Sequence, residues 1–308
     1  MGPIRIALVG MGKIAHDQHV PAIASNDSFI LTATASRNGH GVPGVAHAES
    51  LEALLEHGPP IDAVALCTPP RVRYPLAALA LERGLHVFLE KPPGATVSEV
   101  DALQAAARRH DRTLFASWHS RFAPGVEPAR TWLAERHVEW ASVVWHEDVH
   151  VWHPGQSWIW EPGGFGVFDP GINALSILTH ILPQPFYVTK AKLGFPENRA
   201  APVAAKVAFR DAAGATIATD LDFREAGPPI WDIVVKTDAG TAKLSAGGAA
   251  LSLPSGMTQF EEQEYPALYR RFEGLIRVGA IEVDVRPLQL VADVFLSGSR
   301  ETVDPLYD

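Results

Sequence analysis

The chain is 308 residues long, 47% hydrophobic and 20% charged, an ordinary globular composition that at roughly 150 residues per domain predicts two domains. Its 26 basic and 35 acidic side chains leave a net charge of −9, which disfavours a nucleic-acid partner because such proteins carry a basic face. A single cysteine, Cys67, excludes an internal disulfide framework and a multi-cysteine metal cluster, and no apolar run reaches the ~18 residues of a membrane span, so a cytoplasmic protein without a membrane partner is expected.

The first predicted strand, Ile4–Val9, runs straight into Gly10-Met-Gly12-Lys-Ile-Ala15 with no small-residue cleavage site, so no signal peptide is expected. In this loop Gly10 permits a sharp turn and Gly12 lets the backbone approach a pyrophosphate, which would rest on the N–H groups of the following helix. Gly10, Gly12, Lys13 and Ile14 are therefore cofactor candidates. The second strand, Ile30–Ala35, ends at Ser36-Arg37-Asn38, where an NAD site would place an acid on the ribose hydroxyls. A hydroxyl and a guanidinium suit a 2′-phosphate instead, so Ser36 and Arg37 favour NADP, although nothing in them repels NAD.

Strands are predicted next at Ala63–Cys67, His86–Leu89 and Thr113–Ala116, separated by amphipathic helices at Ser50–His57, Tyr74–Gly84 and Ser98–His110. This alternation predicts a Rossmann-type, doubly wound parallel sheet in an α/β domain. Beyond residue 120 the pattern changes to longer strands, Val138–Val149, Phe186–Gly194, Val203–Phe209, Thr216–Phe223 and Ile230–Thr237, joined by turn chemistry such as Asp238-Ala-Gly240. Helical pattern interrupts at Gly171–Ile181 and returns at Ala267–Val278 and Pro287–Ser297. The expected division is 1–120 for nucleotide binding and 121–308 for an α+β domain on an open, mainly antiparallel sheet, with the last helix packing back on the first domain. The open face could be covered by a second copy, giving a homodimer.

Leu66-Cys-Thr-Pro-Pro70 and His86-Val-Phe-Leu-Glu-Lys-Pro-Pro93, with the glycine loop, make the whole chain resemble the glucose–fructose oxidoreductase/inositol dehydrogenase (Gfo/Idh/MocA) family of NAD(P)-dependent sugar enzymes. The pattern from Gly163 through Asp169 to Asn173 looks like that family's second-domain catalytic motif, with one departure: many members carry histidine where this chain has Asn173. Trp118-His-Ser-Arg121, Trp152-His-Pro-Gly155 and Trp158-Ile-Trp-Glu-Pro-Gly-Gly164 resemble a narrower branch, the bacterial L-arabinose and D-galactose 1-dehydrogenases, which oxidise the anomeric carbon to an aldonolactone. The resemblance implies Cys67, Thr68, Pro69, Glu90 and Lys91 at the cofactor, and Lys91, Asp169 and Asn173 in catalysis.

Oxidising a hemiacetal needs a general base and a partner for the developing oxyanion. Lys91, at the carboxyl end of a parallel strand, is the candidate cation, and would become a base if desolvated. Asp169 and Asn173, four apart, share a helix face, and Asp169 also reads as a helix N-cap before Pro170. His119, Glu147 and His153 are candidates for sugar hydroxyls, each of which asks for a polar partner when buried. Seven of the eight tryptophans fall between Trp118 and Trp160; Trp152 and Trp231 are candidates to stack on a pyranose, while Trp132, Trp140 and Trp145 are assigned to the core. His146, His150 and His153 lack a cysteine or a His-Glu-x-x-His helix beside them, so no metal is expected. The leading expectation is an aldose dehydrogenase acting on a small sugar; the alternatives are a dehydrogenase for another sugar carbon or an inositol, and a non-catalytic NADP-binding sensor.

Overall fold

In the computed structural model, residues 2–37 and 41–307 are described; Asn38 of the second strand's terminal motif lies outside them. The chain forms two compact units, Met1–His119 with Glu264–Val285, and Ser120–Gln263 with Arg286–Asp308.

The first unit holds β1 (Ile4–Val9), a π-helical turn (Ala15–His19) leading into α1 (Val20–Ala24), β2 (Phe29–Ala35), β3 (Ala46–Ala48), α2 (Leu51–His57), β4 (Ala63–Leu66), α3 (Pro70–Glu82), β5 (His86–Glu90), α4 (Val97–His110) and β6 (Leu114–Ser117). Its six strands are parallel in the order β3-β2-β1-β4-β5-β6, so the order reverses between β1 and β4. Ligands of such sheets gather outside the carboxyl ends at that reversal, where the glycine loop sits. Ser50 caps α2 and Thr96 with Glu99 forms a capping box on α4, which sets where those helices begin.

Because successive strand residues face opposite ways, each sheet face has its own core. Val9, Ala35, Leu66, Val87 and Leu89 bury under α2, α3 and α4. The other face is aromatic: Phe88 and Phe115 pack against Tyr269 and Phe272 of a distant helix, α8 (Glu264–Val278), and Phe29 joins them. The helix that rejoins the first unit is thus α8 and not the last one. Its buried face of Tyr265, Leu268, Tyr269 and Phe272 meets the apolar side of β5 and β6, whereas Arg286–Ser297 (α9) turns Phe295 onto Phe168 in the second unit.

The second unit is built on α5 (Val126–Leu133), β7 (Val138–His146), a short α6 (Val149–Trp152), α7 (Phe168–Ile181), and strands β8 (Phe186–Pro196), β9 (Ala204–Asp211), β10 (Thr216–Asp222), β11 (Ile230–Thr237), β12 (Gly240–Ser245), β13 (Ala250–Leu253), β14 (Gly256–Gln259) and β15 (Ser299–Val303). The nine strands run in the order β14-β13-β12-β11-β7-β10-β9-β8-β15, antiparallel except for the parallel pairs β7–β10 and β8–β15. The predicted strand through Val149 stops at His146, because Asp148 accepts the His150 N–H and starts α6. One sheet face buries Ala141, Val143, Trp145, Ile233 and Val235. Across the opposite face the register aligns Lys236, Trp140, Thr216, Arg210 and Tyr187 in one row, with Trp140 and Tyr187 exposed. Of the tryptophans assigned to the core, only Trp145 is buried: Trp140 faces outward by strand alternation, and Trp132 is half-buried with the Arg136 guanidinium 4.2 Å from its ring.

Candidate active site

In the first unit, Gly10 closes β1 with φ +91°, and a Cβ there would lie 2.9 Å from the Thr68 methyl and 3.0 Å from the Cys67 carbonyl carbon. Only glycine fits both the left-handed backbone and the close approach of the β4–α3 loop. Gly12 faces open space, Ala15 is fully buried where the turn packs on the sheet, and the Ala15 and His16 N–H groups donate to the Gly12 carbonyl at 3.1 and 3.3 Å. Lys13 is exposed and ion-paired with Asp17, and Ile14 is half-buried. Thr68 Oγ1 is buried without a hydrogen-bond partner among the described residues. Ser36 and the exposed Arg37 follow β2, and the Ser36 N–H is held by the Ala48 carbonyl at 3.0 Å. A cradle with no side chain at Gly10 or Gly12, an unmatched hydroxyl, and a cation after the second strand fit a dinucleotide with a 2′-phosphate.

Cys67 and Thr68 are half-buried, Pro69 is exposed, and Lys91 is half-buried directly after β5, followed by a cis peptide to Pro92. Glu90, expected beside the cofactor, is 4% exposed and lies on the aromatic face of the sheet. Its Oε1 accepts from the Tyr265 hydroxyl at 2.9 Å and pairs with His19 Nε2 at 3.0 Å, while Oε2 accepts the Lys91 N–H at 3.1 Å. Burial works against the charged carboxylate, but the His19 hydrogen bond and the charges of His19, His119 and Arg73 outweigh it and bring its pKa down to about 2. Burial likewise opposes a charged His19, and Cys67, Tyr269 and the Glu90 contact overcome it, so His19 titrates well above its usual 6.5. His119 also belongs to this unit: its Nδ1 lies 2.6 Å from Glu264 Oε2 and its ring stacks on Tyr265.

In the second unit the other candidates converge at the end of the inner sheet face. His153, just after α6, has Nε2 3.4 Å from Glu147 Oε1 and Nδ1 3.6 Å from Asp169 Oδ2. Both carboxylates are buried, Glu147 at 3% and Asp169 at 4% exposure. The Trp231 indole N–H donates to Glu147 Oε2 at 2.9 Å, and Trp231 stacks on Trp145 and meets Trp152 edge-on at 5.0 Å between centroids. Trp152 itself is 40% exposed. Val167 caps α7, so Asp169 lies in the first helical turn and is not the N-cap; Asn173, one turn on, is half-buried on the same face. Among the described residues no group of three or more His, Cys, Asp or Glu is placed to hold a metal ion: His146 pairs with Asp220 and His150 with Asp148. No helix among them is long and apolar enough to cross a membrane.

Sequence reasoning found the cluster around His153 but missed His19, Tyr265 and Tyr269, which no local motif marks. Tyr269 falls within the predicted helix Ala267–Val278, but Tyr265 precedes it and joins the same face only because the helix begins at Glu264.

Residues 4–117 match the model of an oxidoreductase family described by its NAD-binding Rossmann fold. The chain is 47% identical to the galactose 1-dehydrogenase of Pseudomonas fluorescens over the full length of both proteins. It superposes on the crystal structure of the D-galactose-1-dehydrogenase protein from Rhizobium etli with a TM-score of 0.95 and 54% identity, covering 100% of this chain and 99% of that one. A 3-ketoreductase from Actinomadura kijaniata, solved with NADP and TDP-benzene, shares the fold at a TM-score of 0.85 and 19% identity, covering 98% of this chain and 100% of that one.

Proposed function

This chain belongs to the Gfo/Idh/MocA oxidoreductase family, and we propose that it oxidises D-galactose, and L-arabinose of like ring stereochemistry, at the anomeric carbon to the aldonolactone, with NADP preferred over NAD. The observation that carries the reading is the buried Glu147–His153–Asp169 cluster flanked by Trp231 and Trp152. Fixed carboxylates and an imidazole beside flat aromatic surfaces suit a sugar, whose hydroxyls need paired donors and acceptors and whose C–H face is apolar. The relatives' galactose activity points the same way.

Gly10, Gly12, Thr68, Ser36 and Arg37 would hold the dinucleotide, which when bound supplies the hydride acceptor. Lys91 places positive charge against the anomeric oxygen as negative charge develops there. Asp169 takes the hydroxyl proton at its carboxylate, and His153 beside it, with Glu147 beyond, can carry that proton on. Asn173 on the same helix face, and Trp152 and Trp231, orient the ring. A second copy of the chain is the expected partner for the sheet face that exposes Trp140 and Tyr187.

The test is a panel of aldoses with NADP or NAD, reading formation of reduced nicotinamide, on wild type and on Asp169→Ala. Turnover with D-galactose or L-arabinose is expected, falling by roughly 10²–10⁴ in the variant with NADP binding intact. No turnover with any aldose, or undiminished oxidation by the variant, overturns the reading.

A further inference from the structure

The aromatic face of the parallel sheet carries an anomaly. Strand alternation puts Phe88 and Glu90 of β5 on the same side, against a layer of Phe29, Phe115, Tyr269 and Phe272. A buried acid in such a layer is expensive, and apolar replacement of buried ion pairs is often neutral or stabilising. Stability alone therefore gives a weak reason for the pair His19–Glu90, both of which are almost wholly buried.

The remaining contacts show what the pair is attached to. His19 is fixed on its other side, with Nδ1 2.7 Å from the Tyr269 hydroxyl, and Tyr265 donates to the same Glu90 oxygen that His19 meets. The second Glu90 oxygen accepts the backbone N–H of Lys91. From the opposite side the buried Arg73 guanidinium donates to the carbonyls of Glu90, Pro92 and Thr68. The peptide unit that enters Lys91 and the one that leaves Pro92 are thus clamped by buried charged groups, one of them reaching also to the Thr68 carbonyl.

We propose that Glu90, held by His19 and Tyr265, is a positioning residue that fixes the main chain carrying Lys91 so that its ammonium is set before substrate arrives. The idea rests on the proposed catalytic role of Lys91. A functional group held by a fully bonded supporting shell loses less free energy to reorganisation during reaction, and a displacement of about 1 Å costs on the order of 10²-fold in rate. Glu90 touches neither substrate nor cofactor in this account; it acts through Lys91.

The experiment is a double-mutant cycle on the intact protein, with kcat, sugar KM, NADP Kd and thermal unfolding measured for Glu90→Gln, Lys91→Arg and the pair, and Tyr265→Phe as a milder probe that keeps the ring packing. Glu90→Gln is expected to lower kcat about ten-fold and Tyr265→Phe about three-fold, with NADP Kd and sugar KM within two-fold of wild type. In the Lys91→Arg background, Glu90→Gln should cost less than two-fold, because the displaced cation no longer benefits from the clamp. An equal ten-fold loss in both backgrounds, or a loss explained wholly by a smaller folded fraction, overturns the positioning role. Wild-type turnover in Lys91→Arg overturns the role of Lys91 itself, a distinct outcome that removes the basis of the clamp as well.

Discussion

The Trp231 indole N–H donates to Glu147 Oε2 at 2.9 Å, joining β11 to the residue that follows β7. The two strands are antiparallel neighbours with Trp231 opposite Trp145, so the bond closes the end of a ladder and does not span a loop. It therefore fixes Glu147 against a rigid sheet, and through Glu147 it fixes His153.

Replacing Trp231 by Phe keeps most of the stacking on Trp145 but leaves a buried carboxylate oxygen without its donor, a loss of about 1–3 kcal/mol. The expected result is a fall of roughly 10–100-fold in kcat/KM for the sugar, with NADP affinity unchanged. Steady-state kinetics and a cofactor titration check it, and an unaltered kcat/KM would show that Glu147 needs no such anchor.

His153 stands between two buried acids, and its removal leaves Glu147 and Asp169 without the imidazole that separates them. His153→Ala should lower stability by on the order of 1–3 kcal/mol, read as a lower urea midpoint, and abolish most turnover. His150→Ala is the control, because His150 is half-exposed on Asp148 and surface changes of that kind stay within about 0.5 kcal/mol. Equal midpoints for the two variants would remove the structural claim for His153.

The parallel half of the fold was legible because its strands are short apolar runs, buried on both faces and punctuated by helices; Ile4–Val9 coincides with β1 to the residue. What was not legible was partnership. The periodicity of Ala267–Val278 announces an amphipathic helix but not which sheet receives it, and only the burial of Tyr269 against Phe88 and of Tyr265 against His19 places it. The same holds for Glu90: at the end of a strand beside Lys91 it reads as a cofactor contact, yet two helices distant in sequence supply the groups that bury it. Short strands such as β13 and β14 escaped because four residues without alternating burial, all of them exposed in β14, carry little pattern.

Arg37 offers a test of cofactor choice. It is exposed after β2, and a charge-assisted bond to a 2′-phosphate contributes about 1.5–3 kcal/mol. Arg37→Ala is expected to raise the KM for NADP by roughly 10–100-fold and to change that for NAD less than two-fold. Parallel changes for the two cofactors would refute a phosphate role.

The His19–Glu90 pair also makes stability depend on acid. Glu90 has a folded pKa of about 2 against an ordinary 4.5, so the unfolded chain binds the proton more readily. Its contribution is complete above pH 4.5 and is lost as the pH falls from there towards 2; the difference corresponds to on the order of 3 kcal/mol. His19 has the opposite sign: its contribution is complete below 6.5 and is lost only as pH rises through its elevated folded value. His119 and Arg73 bear on Glu90, Cys67 and Tyr269 bear on His19, and Tyr265 touches both; Tyr269 is pushed up to about 12 mainly by burial. Urea unfolding at steps from pH 6 to pH 3 should therefore show wild type losing stability more steeply than Glu90→Gln below pH 4.5, with the two curves parallel between pH 6 and 5. Parallel curves throughout would mean that Glu90 keeps an ordinary carboxylate pKa in the folded chain, and that the clamp on Lys91 is made by a group indifferent to its charge.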